Sequence, residues 1–270
     1  MKGLKRTLLA LGVAGLPAAA LADIQLLDDL TMGNITGQAG VTIELETKLN
    51  IDRFIYTDEG SLMIDNIQIG GANRTDLFAE LGTNMTNMPA SDLLDNIRIN
   101  IDVLADGDAV INILPNTFGA VDFRISTGAW QLTGTQDSTL VLDNFQMDGL
   151  LGSGTIRVDT QTDMMGVRTD FAIDRMDFDV PFLALGIRDL SLTGAGYDLS
   201  APQPLDLFAR VNLDIYKAPN AAGVESLAID LHEFSADVGI GGVLVGGVSV
   251  GTVFMDDLVI SNTHMLVYGH

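Results

Sequence analysis

A short cassette that recurs five times constrains the fold of this chain more than any other feature. Each copy has an apolar residue, two polar residues and then apolar residues two apart. The copies lie at residues 64–69, 94–99, 142–147, 187–192 and 255–260. Apolar residues two apart are typical of a β-strand with one buried face. The apolar residues that flank the polar pair are instead three apart, and this odd step would turn the apolar set to the other face of a straight strand.

Two interpretations reconcile the odd step with a folded chain. A β-bulge or a corner at the polar pair would return the apolar residues to the same face, and Asn and Asp tolerate the backbone angles that this requires. The strands would then be bent and wrap around a core. Alternatively, the polar pairs are ordinary turns that separate short strands. Both interpretations predict an all-β protein.

The rest of the chain agrees with this class. Apolar and polar residues alternate over 97–103, 121–125 and 211–215, whereas a helix is predicted only near the N-terminus and over 76–81. We predict a mostly antiparallel, elongated β-sandwich or roll, with an irregular β-solenoid as the alternative. Turn-rich breaks lie at residues 70–91, 133–137, 201–204 and 218–223, and none has the length of an interdomain linker. Residues 41–270 are therefore predicted to form a single β domain.

Residues 1–22 have the pattern of a secretory signal peptide. Three basic residues precede an apolar run over 7–16, and an A-x-A site predicts cleavage between Ala22 and Asp23. The run is too short to cross a membrane as a helix. We therefore expect an exported protein of the periplasm, the outer-membrane surface or the extracellular space. The chain has no cysteine, which excludes a disulfide framework.

Charge and hydrophobic content limit the partners. After residue 22 the chain has 11 Lys and Arg against 36 Asp and Glu, a net charge of −25. Such a charge repels nucleic acid and anionic membrane surfaces. A hydrophobic content of 47% is too high for an acidic disordered chain. Protein partners or self-association are expected, and nucleic acid is not.

A serine-hydrolase motif occurs near the C-terminus. Gly247 to Gly251 match G-x-S-x-G around Ser249, and Asp256, Asp257 and His264 follow in the order of α/β-hydrolases. That motif needs a helix directly after the serine turn, whereas the residues that follow have strand character. We predict no catalytic residue and no enzyme activity.

The sequence evidence for metal ligands is equally weak. His232, His264 and His270 lack metal-site spacing, and the acidic residues near Asp106 and over 174–179 lack a calcium-loop pattern. We predict no metal ligand and no cofactor, with loose calcium binding by paired carboxylates left open.

Residues 238–255 form an 18-residue run without charge. Its length and small-residue spacing would suit a transmembrane helix. Its β-branched residues and six glycines favour a strand pair, since each glycine weakens a helix by roughly 1 kcal/mol. We therefore predict no transmembrane helix after the signal peptide. The run is predicted to be buried in the monomer and to form the seam of any oligomer, so that Val245→Lys would impair folding or assembly. The candidate association residues are Val243, Val245, Val248 and Val250.

Residues 27–46 contain the most specific motif, L-D-D-L-x-x-x-N-I-T-G-Q-A-G followed by V-T-I-E-L. This segment resembles the N-terminal signature of exported proteobacterial pilus-system proteins of the FilA type. Those proteins are also similar in signal peptide, in repeated aliphatic–Asp–Asn strands and in a terminal aromatic–Gly–His. The resemblance implies a pilus-related role and provides no catalytic residues.

Residues 23–40 are predicted to be helix-like, and residues 27–38 within them also resemble the leader end that double-glycine peptidases recognise, which would make such a peptidase a partner. Apolar residues precede a small pair, although Gln38 replaces the second glycine. The residues that match this pattern are Leu27, Met32, Ile35, Gly37 and Gln38. The alternative is a short helix that packs against the sheet and ends at Gly37.

Together these features predict a non-catalytic, exported structural or surface-interaction protein of the cell envelope, in a pilus-like or adhesive system. The alternative is a periplasmic or outer-membrane-associated carrier of a lipid or another hydrophobic ligand, since a long bent sheet can form an apolar trough.

Overall fold

The computed structural model describes residues 40–81, 90–117, 119–198 and 200–269. The predicted signal peptide, the segment 27–38 and His270 lie outside these residues. All described residues belong to one compact unit that spans Gly37–His270. No helix among them is long and apolar enough to cross a membrane.

Thirteen strands form one hydrogen-bonded sheet in which every pairing is antiparallel. The strands are β1 (Val41–Thr47), β2 (Leu49–Thr57), β3 (Ser61–Gly70), β4 (Leu94–Val103), β5 (Ala109–Pro115), β6 (Val121–Thr127), β7 (Trp130–Thr133), β8 (Ser138–Asp159), β9 (Met164–Val180), β10 (Leu185–Thr193), β11 (Ala209–Pro219), β12 (Glu225–Val245) and β13 (Val248–Val267). Short 3₁₀ helices occur at Ala79–Leu81, Pro181–Leu183 and Pro204–Leu207. The predicted all-β, antiparallel class is confirmed, and the solenoid alternative is wrong. A sandwich would need a second sheet, which the described residues do not form.

The sheet has eight positions in its strand order, here called rows, and each row is filled either by one long strand or by two or three shorter consecutive strands. The rows follow each other in the order of the chain. Strands that share a row are consecutive: β1 with β2, β3 with β4, β5 with β6 and β7, and β10 with β11. The long strands β8, β9, β12 and β13 each fill a row alone. Each row pairs with the next, so the sheet is an up-and-down meander with β1–β2 at one edge and β13 at the other.

The cassettes produce bulges inside continuous strands, as the odd apolar step predicts. The second polar residue of every cassette has a left-handed backbone, with φ between 49° and 58°; these residues are Asn66, Asn96, Asn144, Asp189 and Asp257. The pairing register also shifts at the last four cassettes. The strands run through the polar pairs, so the interpretation of these pairs as turns between short strands is wrong.

Two insertions interrupt the rows, and their described residues pack on the middle of the sheet. Residues 71–93 lie between β3 and β4, and residues 194–208 lie between β10 and β11. Apolar residues from both insertions and from rows 3 to 5 form one buried cluster: Ala72, Leu77, Phe78, Ala120, Leu150, Ala172, Leu207 and Phe208. The hydroxyl of Tyr197 also donates a hydrogen bond of 2.8 Å to the carbonyl of Leu81, which joins the two insertions. Of the helix predicted over 76–81, only the 3₁₀ turn Ala79–Leu81 is present.

Close approach of the rows requires a small residue at the centre of the sheet. A Cβ added to Gly149 in β8 would lie 2.4 Å from the carbonyl oxygen of Ala172 and 2.7 Å from the ring of Phe123. Backbone atoms cannot yield to such a contact, so a larger residue at this position would push the rows apart.

Candidate interaction surface

The edge strand β13 has the largest set of exposed apolar side chains in the described part of the chain. It pairs with β12 along its length, and its other side has no partner strand among the described residues. Nine of its twenty residues are large apolar residues with exposed side chains: Val248, Val250, Val253, Phe254, Met255, Val259, Ile260, Met265 and Val267. Since Val253, Phe254 and Met255 are consecutive, both faces of the strand are apolar.

This edge lacks most of the features that protect natural sheet edges. Proteins commonly place lysine, proline or a bulge at such an edge to prevent pairing with another chain. The sequence contains no Lys, Arg or Pro after Pro219. Two irregular stretches interrupt the ladder: a bulge at Asp256 and Asp257, across which the backbone N–H of Asp257 donates to the buried carboxylate of Asp237, and register shifts around Gly251. A long, exposed and apolar edge of this kind is suited to strand addition.

A tight turn at Gly246 and Gly247 divides the uncharged run 238–255 into the end of β12 and the start of β13. Gly246 and Gly247 have φ of 61° and 81°, and a two-residue hairpin with both central residues at positive φ fits the twist of antiparallel strands. The backbone N–H of Gly246 donates to the carbonyl of Ala184, which fastens this hairpin to the neighbouring one. The predicted strand pair is confirmed in place of a transmembrane helix.

The prediction that the whole run is buried is wrong. Val238 is 8% exposed, but Val245, Val248 and Val250 are 51%, 68% and 65% exposed. The chain reverses at the glycine pair, and the second strand becomes the edge of the sheet, where no other layer of the described residues covers it. Because Val245 is half exposed, we no longer expect Val245→Lys to impair folding, and its effect on assembly stays a prediction. Among the four candidate association residues, Val243 is half-buried in β12, and the other three surround or follow the turn.

One histidine–aspartate pair joins the C-terminal half of β13 to β12, and a second pair joins β12 to β11. Nδ1 of His264 lies 2.5 Å from the carboxylate of Asp230, which also accepts a hydrogen bond from the hydroxyl of Tyr216. These two contacts lower the pKa of Asp230 below its ordinary value, with His264 as the larger cause. Nε2 of His232 lies 2.7 Å from Asp214 in the same region. Both histidines thus have single carboxylate partners, and no group of three or more metal-ligating side chains occurs in the described ranges.

The hydrolase motif does not assemble into a catalytic triad. Ser249 pairs with Leu244 at the start of β13, whereas His264 pairs with Asp230 near its end. Fifteen residues of extended strand place the two side chains about 50 Å apart. The helix that would follow a nucleophilic serine is also absent here, because β13 continues to Val267.

A buried charge cluster holds the first insertion on the sheet, and the sequence interpretation missed it. Asp148 of β8, whose side chain is 1% exposed, accepts two hydrogen bonds from Arg124 at 2.6 and 2.7 Å and one from Arg74. Arg74 also donates to Asp174 of β9, and the carboxylate of Asp174 accepts the backbone N–H of Phe78. The aspartates lie on separate strands, so only the pairing of β8 with β9 brings them together.

Two unusual groups lie beside this cluster, one in the insertion and one on β6. Phe78 has a φ of 58°, which is costly for a bulky residue, and its buried ring and its bond to Asp174 hold it there. Burial raises the pKa of the nearby Asp122 carboxyl above its ordinary value, although this carboxyl accepts the N–H of Ala72. A cleft of about 630 Å³ lies beside the cluster, but its arginines are already paired with aspartates. Arg74 thus holds the insertion on the sheet, and Arg175 links β9 to β10.

The carboxylates considered for calcium have other roles as well. Asp108 is buried and accepts hydrogen bonds from Arg157 and from the backbone N–H of Thr160. The side chain of Asp106 accepts the N–H of Asp108. These contacts close the turns at one end of β5 and β8.

A family model described as a family of unknown function, DUF6160, matches residues 1–105 of this chain. The match includes the segment 27–46 and the strands β1 to β4. No curated protein and no solved structure matches the chain.

Proposed function

We propose that this protein is a non-catalytic, exported component of the cell envelope that functions by binding other proteins through the edge strand β13. The observation that supports this role is the set of nine exposed apolar residues along an edge strand without lysine, arginine or proline, in a chain of net charge −22. Exposed apolar patches of this extent on acidic proteins are typical of interaction sites. The signal-peptide pattern and the resemblance of residues 27–46 to pilus-system proteins support export and a pilus-like or adhesive system.

The test compares lysine substitutions that differ only in their place in the sheet. Val250→Lys and Val259→Lys add a charge to exposed positions of β13, where an edge lysine blocks strand pairing. Val103→Lys is the control, because Val103 is as exposed as Val250 but lies at the end of β4, a strand that pairs with both β1 and β5. All three variants should fold with the stability of the parent protein.

The expected result in the native host is loss of surface association or adhesion with the β13 variants and not with Val103→Lys. Cell fractionation and protease treatment of intact cells should find the parent protein in the envelope or outside the cell. A cytoplasmic location, or full activity of the double variant Val250→Lys/Val259→Lys, would contradict the proposal.

A further inference from the structure

We propose that the partner of β13 is a second copy of this chain, whose β1–β2 row pairs with β13 in a head-to-tail arrangement. This inference rests on the proposed role of β13 as an interaction edge. Four properties of the two edges support it: strand direction, length, apolar exposure and charge.

Strand direction follows from the number of rows. The sheet has eight rows that alternate in direction, so the β1–β2 row and β13 run in opposite directions. A second copy in the same orientation therefore offers its β1–β2 row antiparallel to β13, and the meander continues from one copy into the next. Each added copy leaves a free edge, so this contact builds an open chain rather than a closed dimer.

The two edges also match in length and in exposed apolar residues. The β1–β2 row spans residues 41–57, and β13 spans residues 248–267. Like β13, the β1–β2 row pairs on one side only among the described residues. Its exposed apolar residues are Val41, Ile43, Leu49, Phe54, Ile55 and Tyr56. A strand pair of this length would cover apolar side chains on both molecules over nearly the whole of each edge.

Charge favours this pairing over pairing of β13 with itself. Asp256 and Asp257 lie at the centre of β13, so a symmetric antiparallel pair in full register would bring four carboxylates together. The centre of the β1–β2 row instead has two basic residues and one acidic residue: Lys48 and Arg53, whose side chains remain 36% and 57% exposed beside their own aspartate partners, and the exposed Asp52. The acidic residues Glu44 and Glu46 of that row would face the half of β13 that contains His264.

Engineered cysteines can test this arrangement directly, because the chain has no native cysteine. Leu49→Cys is prepared in one full-length protein, and Val259→Cys or Ile260→Cys in a second protein of different mass. Residues 259 and 260 point to opposite faces of β13. Whichever way the two strands are aligned, one of these two cysteines therefore lies on the same face as the cysteine at position 49. Val103→Cys, on an interior row, replaces the β13 cysteine in the control mixture. The mixtures are exposed to a mild oxidant and the products are separated by mass.

The mixed dimer should exceed either homodimer several-fold for at least one β13 position. A double variant with both cysteines should give a ladder of oligomers. The Val103→Cys mixture should give neither product, and Val250→Lys should remove the ladder. A predominant homodimer of Val259→Cys or Ile260→Cys, or a chain that stays monomeric under oxidation, would overturn the inference.

The outcome also separates this inference from the proposed function. If purified chains do not cross-link but the β13 lysine variants still lose surface association in cells, the partner is a different protein and only the head-to-tail inference fails. If the β13 lysine variants keep full activity in cells, the proposed function fails whether or not a ladder forms.

Discussion

At the scale of single residues, a backbone conformation that most side chains avoid determines the course of the strands. Asn66, Asn96, Asn144, Asp189 and Asp257 all have φ near 50° inside strands. This conformation costs a residue with a Cβ about 1–2 kcal/mol, and it costs Asn and Asp less because their short side chains can form local hydrogen bonds. The polar pair of each cassette is therefore a backbone requirement rather than a surface preference.

At Asn66, glycine should be tolerated better than valine, whereas valine is tolerated better than glycine at an ordinary strand position. Asn66→Gly should leave the free energy of unfolding within a few tenths of a kcal/mol, and Asn66→Val should lower it by about 1–2 kcal/mol. At Gln68, two residues further along β3 and exposed, Gly should be worse than Val. Urea unfolding of the four variants measures this, and equal orders at the two positions would contradict the backbone explanation.

Removal of the charge on Asp148 should be among the most damaging single changes. Asp148→Asn leaves Arg124 and Arg74 without their buried carboxylate, and loss of one partner of a buried pair costs about 3–5 kcal/mol. The lower end of that range is expected because both arginines are partly exposed. Asp65→Asn, which breaks the exposed pair with Arg53, should cost about 1 kcal/mol or less.

Hydrogen exchange distinguishes a local from a global effect of Asp148→Asn. Amides of residues 72–81 should lose protection before those of β12, because Arg74 joins the insertion to the sheet through this carboxylate. If the amides of the insertion stay protected in Asp148→Asn, and this variant is as stable as Asp65→Asn, then the charge cluster does not hold the insertion on the sheet.

Asp108 should contribute to loss of stability in acid. The backbone N–H of Thr160, followed by Arg157, lowers the pKa of Asp108 below its ordinary value of 3.8. A carboxyl whose pKa is lower in the folded state stabilises the fold above its unfolded pKa, and this stabilisation is lost as the pH falls through the folded pKa. The relevant window therefore lies below about pH 4.

Urea midpoints between pH 7 and pH 2.5 measure this contribution. Asp108→Asn should be less stable than the parent protein at pH 7, and the difference should shrink below pH 4. Asp52→Asn, at an exposed position of β2, is the control and should follow the parent curve. A constant difference between Asp108→Asn and the parent over the whole range would contradict the assignment.

At the scale of elements, the hairpin of β12 and β13 determines whether the protein has a long apolar edge. The two strands pair over about twenty residues, and the glycine turn sets the point at which the uncharged run leaves the interior. Row-to-row pairing stabilises β12 on both sides, whereas β13 depends on β12 alone.

Alanine at the turn should weaken β13 without loss of the sheet. Gly246→Ala and Gly247→Ala meet no neighbouring atom within 4 Å, so only the positive φ opposes them, at about 1–2 kcal/mol each. Gly134→Ala is the matched control in another turn, where the added Cβ has ordinary contacts and φ is not positive. Hydrogen exchange should increase first in residues 248–255, and equal effects of the turn variants and Gly134→Ala would contradict this expectation.

At the scale of the whole molecule, one small core joins parts of the sequence that are far apart. The two insertions meet over rows 3 to 5, and most other side chains of the sheet are only half-buried. The stability of the protein therefore depends on a few fully buried residues and on the long row-to-row pairing.

Leu77 and Leu207 should be energetically coupled, because each is fully buried in the same cluster and comes from a different insertion. Leu77→Ala and Leu207→Ala should each lower the free energy of unfolding by about 2–5 kcal/mol. The double variant should cost less than the sum, with a coupling of about 0.5–3 kcal/mol. Strict additivity in urea unfolding would indicate that the insertions fold on the sheet independently.

The sequence by itself determined the features that depend on near neighbours along the chain. Alternation gave the strands, the odd step around Asp65 and Asn66 gave the left-handed residue, and Gly246 and Gly247 with their β-branched neighbours gave the strand pair. These signals are local, because side-chain direction and backbone strain depend on a few adjacent residues.

Only the tertiary structure decided which strands lie at the edges and which charges meet. Val250 is exposed because β13 is the last row, and Asp148 is buried because two insertions close over β8. The same local pattern fits a covered strand and an edge strand equally well, since both alternate. Burial depends on what packs against a strand, and that partner is set by contacts between residues distant in sequence, such as Arg74 with Asp148 and Leu77 with Leu207.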